Sequence, residues 1–269
     1  MATPKNAMQI FKLLDKSNCR ECGEKTCLAF AGAVFQGHRA ISECPKLDAA
    51  TIEQFSGSGN DQKSIEENRE ELMETMRQCI AGIDLEEAAA RTGGRIHNGR
   101  LILKILGKDF GVDRQGTLFS DIHVNPWIAA PFYDYVLNAK GDKPTGRWVS
   151  FRELKDGKAR YPLFQKRCED AMKRVAEIYT DLFDDMVHLF SGRQVARQFQ
   201  ADISVVLHPL PKLPVMICYW RPDEGLDASL NIFFDETADC NLNIGSIFSL
   251  GAGLAQMFQK LALRHGFES

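Results

Sequence analysis

Residues 95–106, Arg-Ile-His-Asn-Gly-Arg-Leu-Ile-Leu-Lys-Ile-Leu, set Asn98-Gly99 between two runs that carry apolar residues. A two-residue Asn-Gly turn takes positive φ at both centres and matches the twist of paired strands, so this stretch predicts an antiparallel hairpin. Toward the C-terminus, residues 109–113 and 117–122 flank a further turn at Arg114-Gln-Gly116. Residues 203–208, 215–221 and 230–235 read as strands joined by turns rich in Pro, Gly and Asp. Between them the period lengthens. Asn125-Pro126 opens a helix to about Asn138, with proline at the first helical position. Ala171, Val175, Ile178, Leu182, Met186 and Leu189 recur at three and four along an expected helix 167–190, and a last helix is expected over 244–264. Strands grouped with helices around them, and no alternating βαβ pattern, predict an α+β fold of mostly antiparallel strands with covering helices.

On the N-terminal side of the hairpin the composition changes. Residues 57–61, Gly-Ser-Gly-Asn-Asp, read as a linker, and residues 57–92 carry nine Asp/Glu against four Lys/Arg. Ser64 with Glu67 three residues on forms a capping box for a helix 64–79 with few apolar positions, and a short helix 84–91 stops at Gly93-Gly94. The expected organisation is a first domain at 1–56, an acidic helical linker at 57–92 and a larger domain at 93–269. The whole chain of 269 residues is 44% hydrophobic and 26% charged, ordinary values for a folded protein. No run of about 18 apolar residues exists, so no membrane span is expected. A net charge of −3 argues against a nucleic-acid partner. The first residues form neither a secretory nor a transit signal, so a cytoplasmic protein is expected.

Four of the eight cysteines, Cys19, Cys22, Cys27 and Cys44, fall close together in the spacing Cys-x2-Cys-x4-Cys-x16-Cys-Pro. Without a signal peptide such a group points to a metal rather than to disulfides. A 4Fe–4S cubane needs four thiolates at tetrahedral corners, and the intervals suit it. Cys19 and Cys22 share a tight loop in which Gly23 lets the backbone come close to the inorganic sulfides. Thr26 is placed to cap a helix beginning at Cys27, aiming N–H groups and the positive dipole end at an anion. Gly37 would end that helix, and Pro45 would prevent another from forming across Cys44. Lys16, Arg20, Lys25 and Lys46 lie within a few positions of these cysteines and would offset the cluster's negative charge. Structural zinc is the competing reading, though it usually takes two separated Cys-x2-4-Cys knuckles. Here three ligands are bunched and the fourth precedes proline, as in ferredoxin-type runs. The expected architecture is therefore a small helical 4Fe–4S cluster module followed by the larger α+β domain.

Residues 7–47, AMQIFKLLDKSNCRECGEKTCLAFAGAVFQGHRAISECPKL, resemble the 4Fe–4S domain that opens the large subunit of the corrinoid iron–sulfur protein, and are similar to the cluster module of the Rnf-complex B subunit. All four cysteine positions match. The resemblance implies that Cys19, Cys22, Cys27 and Cys44 ligate one low-potential cubane, and that a corrinoid or one-carbon pathway component is a natural electron partner. The corrinoid large subunit continues into a (β/α)8 barrel, which residues 93–269 do not. They resemble instead an uncharacterised domain often fused to this motif in anaerobic bacteria and archaea.

Within 93–269 the candidates are weaker. Cys79, Cys168, Cys218 and Cys240 form no Cys-x2-Cys pair and are expected to be inert core residues. His123, flanked by Asp121 and Asn125, and His208 are single candidates for ligand contact. Asp109, Asp113 and Asp121 read as solvated turn residues, and Leu250-Gly-Ala-Gly-Leu254 as close helix packing rather than a phosphate loop. Trp127, Trp148, Tyr219 and Trp220 are candidates to line a pocket. The leading expectation is an iron–sulfur electron-transfer or redox-partner protein of anaerobic metabolism. Its alternatives are a reductase whose second domain binds a small molecule or tetrapyrrole, and a cluster-gated accessory or sensor protein in metallocofactor maturation.

Overall fold

The structure, a computed structural model, describes residues 6–36, 38–56, 65–121, 124–179, 181–223 and 225–265. Gly37, Ser64 and His123 lie outside the described residues. The chain divides into two compact units, Met1–Glu74 and Thr75–Ser269.

The first unit is helical. Helix α1 (Ala7–Leu13) starts where the Asn6 side chain accepts from the Gln9 N–H, and packs on α2 (Cys27–Phe35). Ile10, Leu14, Phe30, Ala31, Val34 and Ile41 make one small apolar cluster between them. A 3-10 turn at Ile41–Glu43 follows, then α3 (Ala49–Ser56) and the start of α4 (Ile65–Ile80).

The second unit opens with α5 (Leu85–Thr92), capped by Asp84, whose side chain accepts from the Glu86 N–H. Gly93, at φ 78°, ends it. The expected hairpin is present: β1 (Arg95–His97) and β2 (Arg100–Ile105) pair antiparallel around Asn98 and Gly99, at φ 51° and 71°. With β3 (Lys108–Val112) and β4 (Leu118–Ser120) they form a four-stranded sheet in sequential order. Leu101, Leu103 and Ile105 alternate inward on β2, and Phe110 of β3 meets Phe132 of α6 (Pro126–Asn138) at 4.8 Å between ring centres.

A five-stranded antiparallel sheet follows, built from β5 (Trp148–Ser150), β6 (Arg193–Gln194), β7 (Ile203–Leu210), β8 (Leu213–Trp220) and β9 (Ser229–Asp235) in the order β5-β9-β8-β7-β6. The Leu106 N–H donates to the His208 carbonyl at 2.9 Å, tying the first sheet to the second. The two edge strands of this sheet, β5 and β6, were not expected, because they find their partners through long-range pairing rather than through a local pattern. Strand β7 runs two residues past His208, through a register shift between Leu207 and Leu210. Pro209 has no N–H to donate, and such irregular points are where a sheet tolerates it.

The expected helix 167–190 is not continuous. The chain forms α7 (Tyr161–Phe164), a π turn at Gln165–Glu169, α8 (Asp170–Ile178) and α9 (Leu182–His188). Tyr179 leaves the helix at φ −112°, ψ 98°, and its hydroxyl donates to Asp185 at 2.6 Å in the acidic first turn of α9. Ala171, Val175, Leu182 and Met186 are buried as the period requires, whereas Ile178, beside the break, is 76% exposed. The π turn carries Glu169, which is 1% exposed and accepts from the Ile232 N–H at 3.0 Å and the Tyr161 hydroxyl at 3.1 Å. Helices α10 (Ala238–Asn241) and α11 (Ile244–His265) close the chain. On α11, Gly251 lets Phe164 and Cys168 approach and Gly253 does so for Trp127, the close packing read from Leu250–Leu254.

Candidate metal centre

The loop before α2 is held by its own side chains. Asp15 accepts from the Ser17 N–H at 3.0 Å and from the Ser17 hydroxyl at 2.8 Å, which keeps its carboxyl below the usual range. Lys16, Asn18 and Arg20 have φ of 63°, 50° and 65°, and Gly23 has 83°. Three side-chain-bearing residues in the left-handed region within five positions mark a backbone held by its surroundings. The Gly23 N–H donates to the Arg20 carbonyl at 2.9 Å, closing the turn between Cys19 and Cys22.

Two side chains then set the start of α2. Thr26 caps it, accepting from the Ala29 N–H at 3.0 Å as its place in the sequence predicts. Asn18 accepts from the Cys27 N–H at 2.8 Å, a cap nine residues upstream that sequence reading missed. Cys44 sits just after the 3-10 turn, its N–H donating to the Ile41 carbonyl, while Glu43 accepts from the Ala40 N–H at 2.8 Å.

Cys27 and Cys44 are 8% and 6% exposed and belong to the apolar cluster of the first unit, with Cys22 packed against it. Cys19 and Cys22 are half-buried. None of the eight cysteines is in a disulfide. Among the described residues no three His, Cys, Asp or Glu side chains gather into a site for one metal ion. The 4Fe–4S cubane expected from the spacing would instead place each thiolate on its own iron. Cys19, Cys22, Cys27 and Cys44 are free thiols, the donor type that iron–sulfur groups take, on a loop with left-handed residues, a capped helix start and a return turn. The surrounding charge suits it too. Lys46 is raised first by Asp15 and further by Cys19, among other groups, and Arg39 first by Glu43 and further by Cys22. Lys46 was among the cations read from the sequence; Arg39 was not. Its i,i+4 partner Glu43 is visible in the sequence, whereas its reach to Glu24 on the loop is not.

The other sequence candidates are dispersed. Cys168 and Cys218 are fully buried with thiols pushed up by burial, and Cys240 is half-buried. Cys79 departs from the expectation of a core residue: it lies exposed on α4. Asp113 organises its own turn, accepting from the N–H groups of Gln115 and Thr117. Asp109 pairs with Lys104 and Arg95, which hold its carboxyl down. Of the four aromatic candidates, Trp220 lines a cavity of about 470 Å³ with Asp202, Arg221, Asp227, Ser229 and Asn231 among its neighbours. Trp148 packs on the same sheet face as Trp220, and Tyr219 is buried.

A family model described as "Putative Fe-S cluster" matches residues 14–46, and one described as Domain of unknown function (DUF3786) matches residues 84–257. The acetyl-CoA decarbonylase/synthase complex subunit gamma of Methanocaldococcus jannaschii is 42% identical over 48 residues, 18% of this chain and 10% of that protein. The same subunit of Methanopyrus kandleri is 41% identical over 50 residues, 19% of this chain and 11% of its own. The corrinoid/iron-sulfur protein large subunit of Moorella thermoacetica is 42% identical over 50 residues, again 19% and 11%. The matched stretch thus spans about a tenth of the length of these relatives. No solved structure matches the chain. No helix among the described residues is long and apolar enough to cross a membrane.

Proposed function

This chain belongs to the family described as Domain of unknown function (DUF3786), carries an iron–sulfur cluster domain in front of it, and we propose that it works as an electron-transfer or redox-partner protein of anaerobic metabolism. In this reading residues 1–56 hold one 4Fe–4S cluster through Cys19, Cys22, Cys27 and Cys44. Such a cluster supplies one-electron transfer at a potential set by its ligands, the charges near them and solvent exposure. The chain's own residues do the rest. Asn18, Thr26 and Gly23 present the loop and the helix start, and the apolar cluster around Cys27 and Cys44 keeps water from that side. Cys19 and Cys22, the two half-buried cysteines, are the side across which an electron is exchanged.

The observation that supports this most is the distribution of the four thiols, two sealed into an apolar core and two half-exposed, on the ferredoxin-like spacing. The acceptor in this reading is a partner protein or a corrinoid-type cofactor. The likeness of 48 and 50 residues of this chain to parts of an acetyl-CoA decarbonylase/synthase subunit and of a corrinoid/iron-sulfur protein subunit favours it. The test is anaerobic purification with iron and sulfide analysis, and EPR of the dithionite-reduced chain with and without cobalamin. About four irons per chain with sulfide and a reduced-cubane signal are expected. Loss of the cobalt(II) signal on mixing supports the corrinoid acceptor, and zinc without sulfide overturns the electron-transfer reading.

The cavity beside Trp220 favours a second reading, in which the α+β unit binds a small molecule and the chain is a reductase. Substrate-dependent reoxidation of the reduced chain separates the two.

A further inference from the structure

Two basic side chains from the segment that delivers Cys44 reach the loop that carries Cys19 and Cys22. Arg39 Nη1 lies 2.6 Å from Glu43 Oε2, and its Nε lies 3.9 Å from Glu24 Oε1. Its Nη2 passes over Gly23, 3.2 Å from where a Cβ would stand, so a larger residue there would press on the guanidinium. Lys46 Nζ lies 3.5 Å from Asp15 Oδ2 and donates to Ser17 Oγ at 3.2 Å. The loop is therefore gripped on both sides, by Lys46 ahead of Cys19 and by Arg39 behind Cys22. The two grips differ in kind. Lys46 is a single ammonium on one carboxylate, whereas Arg39 spans two carboxylates on different segments with a planar fork, which an ammonium cannot reproduce.

Resting on the cluster reading above, we propose that Arg39 is a positioning residue for the iron–sulfur group. It ties the Cys22–Gly23–Glu24 turn to the Glu43–Cys44 turn and places a fixed positive charge beside the half-exposed Cys22. Two consequences follow from the geometry. The tie keeps the second and fourth cysteines in register, so its loss loosens the site. A fixed cation next to a ligand stabilises the reduced, more negative state of a cluster, so its loss lowers the reduction potential. The effect of the charge is limited by solvent, since the Arg39 side chain is 38% exposed.

The test uses the full chain, reconstituted anaerobically, as wild type, Arg39→Met and Arg39→Lys. Midpoint potential is followed by EPR-monitored redox titration, and iron release by a chelator. Arg39→Met is expected to titrate at a more negative midpoint and to release iron several-fold faster. Arg39→Lys is expected to recover the midpoint while still releasing iron faster than wild type, because it keeps the charge and loses the fork. Arg39→Met with wild-type midpoint and release overturns the proposal. Faster release at an unchanged midpoint overturns the charge role and leaves only a structural tie. A wild-type chain that takes up neither iron nor sulfide overturns the cluster reading itself, and this inference with it.

Discussion

The Asn18 side chain accepts the backbone N–H of Cys27 at 2.8 Å, so the residue before the first cysteine caps the helix that begins with the third. The chain adopts φ 50° at Asn18 to do this, a conformation asparagine tolerates better than most residues. Asn18→Ala removes the acceptor and strains the backbone together, and is expected to destabilise the helix start by roughly 1–2 kcal/mol. Hydrogen exchange at the Cys27 amide should quicken by about tenfold or more in this variant. Asn18→Gly, which relieves the strain but not the lost acceptor, should fall between. Unchanged protection at Cys27 in both would remove Asn18 from the site's architecture.

Substitution is expected to separate the cysteines by position. Cys27→Ser is expected to abolish or strongly reduce sulfide-bound iron while leaving the melting of the second unit unchanged. Cys218→Ser, buried on β8 with its thiol 3.6 Å from Ser204 Oγ, is expected to keep the iron and cost stability in the second unit. Iron and sulfide content, with thermal melts of each variant, decide it. Loss of iron in Cys218→Ser with retention in Cys27→Ser would reverse the assignment.

Gly251 tests the packing of α11. In an exposed helix, Gly→Ala stabilises by about 1 kcal/mol. Here an added Cβ would stand 2.7 Å from Phe164 and 3.3 Å from the Cys168 sulfur, and Phe164 is itself stacked on Phe151 at 4.1 Å. Gly251→Ala is therefore expected to destabilise by roughly 1–3 kcal/mol, measured by urea unfolding. A gain in stability would show that Phe164 can yield.

Glu169 gives the second unit a pH dependence. Burial pushes its carboxyl up, against the opposing donors Ile232, Asn231 and Tyr161. A raised native value means that the folded chain holds the proton longer than the unfolded chain. The stabilising contribution is thus full below the ordinary value of 4.5 and is lost as pH rises through the native value. Glu169→Gln keeps a carbonyl for the Ile232 N–H and sheds the titration. Its unfolding free energy should fall less steeply than that of wild type as pH rises above 4.5. Parallel curves for the two proteins would mean that the burial cost is offset in full.

Elements whose signals are local were legible before the fold was known. The Asn98-Gly99 hairpin, the Thr26 cap, the α5 stop at Gly93 and the long α11 each depend on dihedral preference or on a period within a few residues. The four-cysteine spacing is local as well, and both the family model over 14–46 and the relatives fall on it. The expected helix 167–190 failed because periodicity continues across Tyr179 while the backbone does not. A long-range bond accepted by Glu169 accompanies the π turn, and a bond from the Tyr179 hydroxyl to Asp185 spans the break.

What the sequence alone determined is the chemistry available: four clustered thiols, an α+β order of elements, and cations near the cysteines. Only the tertiary structure decided which groups act on them. It buried Cys27 and Cys44, left Cys19 and Cys22 half-exposed, and brought Arg39 across to Gly23 and to Glu24, fifteen residues away. The reason is physical. Dihedral preferences and hydrophobic periods act over one or two turns of chain, whereas burial and charge pairing depend on which segments the apolar core draws together.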